Sequence, residues 1–150
     1  SSSLSFNDKI NSSLIDCYNE KLVRCDNRRK MNIANVAYTL YTSIIDYNKF
    51  INNLLFNELD IIEMMYKKHI IINKDLSWDL GIANINDKIY WQWGDNYYFK
   101  NFLLINKETN NYIIYFSNSV NGLDLFKQYL IDNNYIKEAN IIFDYIANCE

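Results

Sequence analysis

The fold is decided by residues 89–116, which read IYWQWGDNYYFKNFLLINKETNNYIIYF. Three apolar and aromatic runs stand here, and the residues between them are mainly Asn, Asp and other types that favour turns. Such runs predict strands over 89–93, 99–105 and 112–116. Because the connections are short, we expect neighbouring strands to be antiparallel.

One more strand and several helices are predicted around this segment. Residues 78–83 alternate larger apolar side chains with polar or small ones, and Asn86-Asp87 supplies a hairpin turn towards residue 89. Before and after the strands, apolar residues recur at helical spacing, and Thr42 or Ser43 is a suitable N-cap. The helical positions are Ile44, Tyr47, Ile51, Leu54 and Leu55; Leu59, Ile62, Met65 and Tyr66; Leu123, Phe126, Tyr129 and Leu130; and Ile136, Ala139, Ile142, Phe143 and Ile146, which form a continuation or a second helix. We therefore predict an α+β fold with a four-strand antiparallel meander flanked by helices.

The composition excludes several classes of protein. The chain has 150 residues, 15 basic against 18 acidic side chains and 49% hydrophobic residues, as expected of one globular domain. A net charge of −3 argues against nucleic acid as a partner, and the chain has no apolar run long enough to span a membrane. The strong bias towards Asn, Ile, Lys and Tyr, whose codons are AT-rich, is read as genome composition.

We interpret residues 1–150 as a single domain that is part of a larger one. Residues 1–34 form a loop-rich lead-in, with Ser, Asn and Asp clusters and short apolar patches. The chain has neither an initiator methionine nor the basic and apolar regions of a signal peptide, so we expect it to begin partway into a longer chain.

Most signatures of catalytic and metal sites are missing from the sequence. The only histidine, His69, stands at the end of a predicted helix, where a cation favours the helix dipole, so we interpret it as structural. The spacing of Cys17, Cys25 and Cys149 does not suit zinc; two of them form a disulfide if the compartment is oxidising. Phosphate-binding glycine loops, nucleophile elbows, zinc-protease motifs and S-x-x-K do not occur. We expect neither a metal nor a cofactor.

Residues 90–100 are difficult to explain by core packing and a turn alone. Two tryptophans on one strand are costly to expose unless they pack or bind, and each indole N–H needs a hydrogen-bond acceptor. Gly94, which follows them, allows a ligand or another backbone to approach the strand closely.

Four segments resemble motifs of a known family. Residues 35–50 read NVAYTLYTSIIDYNKF, 78–82 WDLGI, 90–99 YWQWGDNYYF and 116–122 FSNSVNG. In order and spacing they resemble A-x-S-L-x-T-T-x-x-D-Y-x-x-F, W-G-L-G-W, W-H-W-G-D-N-x-G-F and F-T-N-S-x-N-G of the serine β-lactamase-like family. That family includes class C β-lactamases, penicillin-binding proteins and related esterases. The resemblance spans residues 35–130 and corresponds to the C-terminal half of the family's domain.

The resemblance implies a site along one strand. The family's K-T-G or H-x-G motif falls on Gln92, Trp93 and Gly94, and the backbone N–H of Asp95 would complete the oxyanion hole. We therefore expect Gln92, Trp93, Gly94, Asp95 and Asn96 to bind substrate. The chain departs from the family at Gln92, because a neutral amide cannot supply the positive charge of Lys or His to an anionic substrate. It also departs at Tyr97-Tyr98, which would crowd the mouth of the cleft.

Two functions follow as hypotheses. In the first, the chain is the C-terminal portion of a serine hydrolase whose S-x-x-K and Y-x-N motifs lie upstream, so that residues 1–150 contain no catalytic side chain and are inactive alone. The implied partners are the missing N-terminal half or a second copy of the chain, which would cover an open sheet edge, and a small acyl substrate. The family also implies a periplasmic or secreted location.

In the second hypothesis, the chain is a non-catalytic binding module that uses Trp91 to Asn96 for a peptide, a glycan or a protein.

Overall fold

The computed structural model describes residues 2–25, 30–35, 38–67 and 70–149, and these form an α+β fold. The interpretation of His69 lies outside the described residues. The helices are α1 (Asp8–Ser13), α2 (Ile44–Asn57), α3 (Leu59–Met65), α4 (Gly122–Asp132) and α5 (Ile136–Ala147). The strands are β1 (Cys17–Tyr18), β2 (Arg24–Cys25), β3 (Ile70–Ile71), β4 (Leu76–Trp78), β5 (Ala83–Ile85), β6 (Ile89–Asn96), β7 (Phe99–Asn106) and β8 (Asn111–Ser117).

The main sheet is an antiparallel meander of six strands in the order β3-β4-β5-β6-β7-β8. The predicted number of four strands was therefore wrong. The expected strand over residues 78–83 is divided by a turn, in which the Asp79 amide donates a hydrogen bond of 2.8 Å to the Ile82 carbonyl. Gly81 has a φ of +75°, which the chain tolerates there because glycine has no Cβ. The side chains before and after this turn alternate in polarity with a two-residue period, so the sequence predicted a single strand there.

Helices cover both faces of the sheet. One face packs against α4 and α5 and contains Trp91 and Phe102, whose side chains are at most 2% exposed. The other face packs against α2 and α3 and contains Tyr90 and Leu103. Adjacent residues of β6 and β7 thus point to opposite layers, as the two-residue period of a strand requires. This double burial explains why residues 89–105 read as nearly continuous apolar runs.

Local signals place the helix ends. The Ser43 hydroxyl accepts a hydrogen bond of 3.2 Å from the Asp46 amide, so Ser43 caps α2 and confirms one of the two predicted N-caps. At the other end of the chain, α4 and α5 are separate helices. Asn134 lies between them with a φ of +67°, a left-handed conformation that asparagine tolerates and that ends a helix.

The lead-in contributes α1 and the two-stranded sheet of β1 and β2. Tyr18 of β1 runs parallel to the segment after β8: its amide donates to the Asn118 carbonyl at 2.9 Å, and its carbonyl accepts from the Val120 amide at 3.2 Å. The pair of β1 and β2 therefore packs beside the C-terminal end of β8, whereas Ser3 near the start of the lead-in pairs with Tyr41. No helix among the described residues is long and apolar enough to cross a membrane.

Candidate functional site

The second half of β6 has an open edge. Strand β5 pairs only with Ile89–Trp91 of β6, whereas β7 pairs with the whole of β6 up to Asn96. Among the described residues, β6 is therefore bonded to a strand on one side only from Gln92 onward. The five residues that the sequence singled out, Gln92, Trp93, Gly94, Asp95 and Asn96, all lie along this edge.

The hydrogen-bond register shows which backbone groups face the edge. The Lys107 amide donates to the Lys88 carbonyl at 2.9 Å, which makes this a hydrogen-bonded pair. Such pairs alternate along an antiparallel ladder, so Gln92, Gly94 and Asn96 direct their backbone groups towards β7. By the same alternation, Trp93 and Asp95 direct theirs away from β7, towards the open edge.

The Gln92 side chain lies across this edge. Its Oε1 accepts a hydrogen bond of 2.9 Å from the Trp93 amide, and its Nε2 donates to the Gly81 carbonyl at 3.1 Å. The Gln92 side-chain amide thus occupies the Trp93 N–H, one of the two backbone N–H groups that face the open edge. It also connects β6 to the turn before β5. Gln92 contributes hydrogen-bonding capacity at the edge but no charge.

The Asp95 side chain is held by two partners. Its Oδ2 accepts from Lys100 Nζ at 2.5 Å, and its Oδ1 accepts from the Tyr97 amide at 2.8 Å. The Lys100 side chain is only 9% exposed and that of Asp95 29% exposed, so this is a largely buried ion pair. The Lys100 ammonium balances the negative charge of the Asp95 carboxylate. The carboxylate would therefore repel a negative charge that develops beside the Asp95 backbone less strongly.

The Trp93 ring does not lie along the edge but in an aromatic cluster formed by Trp78, Trp91, Trp93 and Tyr145. Its ring centroid is 6.0 Å from that of Trp78, 5.6 Å from Trp91 and 6.2 Å from Tyr145. Trp91 is fully buried, and its Nε1 has no hydrogen-bond partner in the part of the chain that the structure describes. The pleat divides the expected site: Trp93 and Asp95 share the face of α4 and α5, whereas Gln92 and Asn96 share the opposite face.

Two tyrosines form the turn at the end of β6. Tyr97 is 60% exposed with a φ of +55°, and its ring meets that of Tyr98 edge to face at 4.6 Å. A hydrogen bond with the Cys25 side chain, together with partial burial, raises the pKa of Tyr98. The turn therefore contacts the hairpin of the lead-in.

Lys100 is the site residue that the sequence analysis missed. Asp95 and Lys100 are directly opposed across the hairpin that Tyr97 and Tyr98 close. Opposite charges at positions i and i+5 around a two-residue turn were a detectable signal, because such a turn sets the cross-strand partners.

A second polar cluster lies on β4 and β5. Asp79 accepts hydrogen bonds of 3.1 Å from both Ser77 and Asn84, and Asn84 donates to Asp87 at 2.9 Å. Ser77 and Asn84 also line a cavity of about 270 Å³. Within the described ranges, no three His, Cys, Asp or Glu side chains come together as a metal ion would require.

Comparisons of the chain with family models, with curated proteins and with solved structures found no match.

Proposed function

We propose that this chain is the C-terminal portion of a β-lactamase-related serine hydrolase that transfers acyl groups from an ester, amide or β-lactam. The proposal rests on the four family-like segments and on the open edge of β6. In this arrangement residues 92–96 form one wall of the substrate cleft. The nucleophilic serine and its lysine belong to the upstream half of the protein, so the described chain has no activity by itself.

The observation that carries the proposal is the direction of the Asp95 amide. Acyl transfer passes through a tetrahedral intermediate whose oxygen is negative, and backbone N–H groups at a fixed position stabilise that oxygen. The Asp95 N–H faces the open edge of β6, on a strand held in place by β7. It is suited to be one donor of an oxyanion hole, with the second donor coming from the nucleophile segment.

The other long edge of the sheet suits the proposed missing half. Among the described strands β8 pairs only with β7, and the ladder alternation directs the backbone groups of Tyr112, Ile114 and Phe116 outward. Strand β8 carries no charged residue or proline that would protect a free edge. Beside it lies a cavity of about 340 Å³ lined by Ile44, Ile45, Asn48, Tyr112 and Ile114. A strand of the N-terminal half, or of a second copy, would pair here.

The test needs the longer natural chain and two variants at one position. Asp95→Pro removes the backbone N–H, and Asp95→Ala keeps it, while both lose the ion pair with Lys100. With a p-nitrophenyl ester or a chromogenic cephalosporin, we expect Asp95→Pro to lower kcat by about 10²–10³ relative to Asp95→Ala. Circular dichroism of both variants establishes that they are folded.

Separate outcomes contradict separate parts of the proposal. An upstream sequence without S-x-x-K and Y-x-N would contradict the hydrolase lineage. Equal kcat values for two folded variants would contradict the oxyanion role of Asp95 alone. Turnover by residues 1–150 would contradict the assignment of the nucleophile to the upstream half.

A binding module is the second candidate, and the Gln92 side chain favours it. This amide already bonds the Trp93 N–H at the edge, where the family places a cationic or imidazole side chain. In this case the longer chain hydrolyses no acyl substrate, and extended peptides pair with the edge. Adding an acetylated Val-Thr repeat peptide should then shift the Trp93 and Asp95 amide resonances, and a Gly94→Val variant should bind it less well. Measurable turnover would exclude this candidate.

A further inference from the structure

Two cysteines of the lead-in face each other across a pair of strands. In the antiparallel pair of β1 and β2, Cys17 is directly opposite Cys25. The Cys17 thiol donates to the Cys25 carbonyl at 3.1 Å, so its sulfur already lies over the neighbouring strand. Both side chains are reduced in the structure.

The Cα separation of the two strands falls within the range found in disulfides. The Asn19 amide donates to the Val23 carbonyl at 3.0 Å, and the alternation of the ladder makes Cys17 and Cys25 a hydrogen-bonded pair as well. The Cα atoms of such pairs are about 5.5 Å apart, close to the distance most common in disulfides.

We propose that Cys17 and Cys25 form a reversible disulfide by exchange with a small-molecule disulfide such as oxidised glutathione. Cys25 is partly exposed, so its thiolate attacks one glutathione sulfur and releases the first glutathione. Cys17, which is fully buried, then attacks the Cys25 sulfur of the mixed disulfide and releases the second glutathione. Two protein thiols are oxidised, one disulfide is reduced, and each released glutathione takes up one of the two protons.

The location of this pair gives its oxidation a structural consequence. The Cys25 side chain lies beside Tyr98, in the turn at the end of β6, and raises the pKa of that phenol. Tyr18, next to Cys17, is bonded to the segment after β8. A disulfide would therefore restrain a hairpin that contacts the turn after β6 and the segment after β8, which lie at the same end of the sheet. Because the Cβ atoms of a hydrogen-bonded pair lie farther apart than in a relaxed disulfide, we expect a strained and easily reduced bond.

The third cysteine is held elsewhere. Cys149 follows α5, and its side chain lies beside Tyr145 of the aromatic cluster. Cys149 is exposed, so it reacts with oxidised glutathione as a mixed disulfide. Replacing it with serine removes that reaction and leaves the proposed pair intact.

The experiment treats the Cys149→Ser variant of the chain with oxidised glutathione and digests it with trypsin without reduction. Lys21 and Arg24 lie between the two cysteines, so trypsin separates peptide 10–21 from peptide 25–28. We expect these two peptides to be recovered joined, and no thiol to react with Ellman's reagent. Dithiothreitol should restore both thiols. This result is independent of whether the protein is a hydrolase.

Two further variants distinguish the proposed order of exchange. With Cys17→Ser added, we expect Cys25 to accumulate as the glutathione adduct, because nothing resolves it. With Cys25→Ser added, we expect little reaction at the buried Cys17. Recovery of Cys25 only as a glutathione adduct in the Cys149→Ser chain, or of peptides joined between two molecules, would overturn the proposal.

Discussion

The Trp78 indole N–H donates a hydrogen bond of 2.6 Å to the Tyr145 hydroxyl, joining residues that are 67 positions apart in the chain. Trp78 belongs to β4 and Tyr145 to α5, so this bond connects the second strand of the main sheet to the last helix. The two rings also lie 6.0 Å apart within the aromatic cluster. A polar contact and ring packing therefore act together to hold α5 on the sheet.

Replacing Tyr145 with phenylalanine should weaken this connection. The ring remains, but the half-buried Trp78 N–H loses its acceptor, at a cost of about 1 kcal/mol in the free energy of unfolding. Urea unfolding followed by tryptophan fluorescence measures the change. Tyr129→Phe is the control, because that ring on α4 is 45% exposed, and we expect it to change stability by less than about 0.5 kcal/mol. Equal effects would show that the hydrogen bond is not the cause.

A methyl group at position 122 should be poorly tolerated. A Cβ added to Gly122 would lie 2.6 Å from the Ser117 Cβ and 3.0 Å from the Lys100 Cβ. Gly122→Ala should therefore lower the free energy of unfolding by about 1–3 kcal/mol, because α4 must move away from β8. Gly94→Ala is the matched control, since its nearest contact at 3.8 Å is ordinary. If crowding is the cause, adding Ser117→Gly should recover part of the loss.

Replacing Asp95 and replacing Lys100 should lower the free energy of unfolding by different amounts. Asp95→Ala leaves the 9% exposed Lys100 ammonium without its partner, whereas Lys100→Met leaves Asp95 with greater exposure and with the Tyr97 amide. We expect a loss of about 2–4 kcal/mol for Asp95→Ala and of about 1–2 kcal/mol for Lys100→Met, because the cost follows the charge that remains buried. Urea unfolding at neutral pH gives both values. The reverse order would contradict this explanation.

Alkaline pH should destabilise the protein through Tyr90. Burial, followed by the nearby Asp87 and Asp79 carboxylates, raises the pKa of this phenol from 10.0 to about 12. The folded state binds the proton more tightly than the unfolded state, so the stabilisation is complete below pH 10 and is lost as pH rises from 10 to 12. The difference corresponds to roughly 3 kcal/mol at most.

The Tyr90→Phe variant isolates this contribution. Its free energy of unfolding should fall less steeply between pH 10 and 12 than that of the parent chain. Absorbance of tyrosinate should also lose its most alkaline step. Burial raises the pKa values of Tyr47 and Tyr66 as well, so part of the pH dependence should remain. An unchanged slope would show that Tyr90 is not the group responsible.

Local chemistry was sufficient for part of the fold. The Ser43 cap and the three strands between residues 89 and 117 depend on side chains close in sequence, so the chain itself indicates them. The sequence left open whether the helix before Asn134 continues, and the structure ends it there. The division of residues 76–85 into two strands was not predictable in this way. Leu80 continues the apolar alternation but is 52% exposed, because Gly81 turns the backbone there.

The candidate site likewise depends partly on local sequence and partly on contacts between distant segments. Residues 92–96 were recognisable from two tryptophans followed by a glycine, but the alternation of β6 separates their side chains onto two faces. That Trp93 packs against Tyr145, and that Gln92 reaches the Gly81 carbonyl, depends on contacts between distant segments.

Hydrophobic period, turn residues and caps act over a few positions, so the amino-acid sequence alone indicated the α+β class, the antiparallel pairing around residues 89–116 and the start of α2. Contacts between distant segments settle the six-strand sheet, the burial of the Asp95–Lys100 pair and the open edge from Gln92 onward. An edge is open or closed according to where a neighbouring strand stops, and β5 stops opposite Trp91.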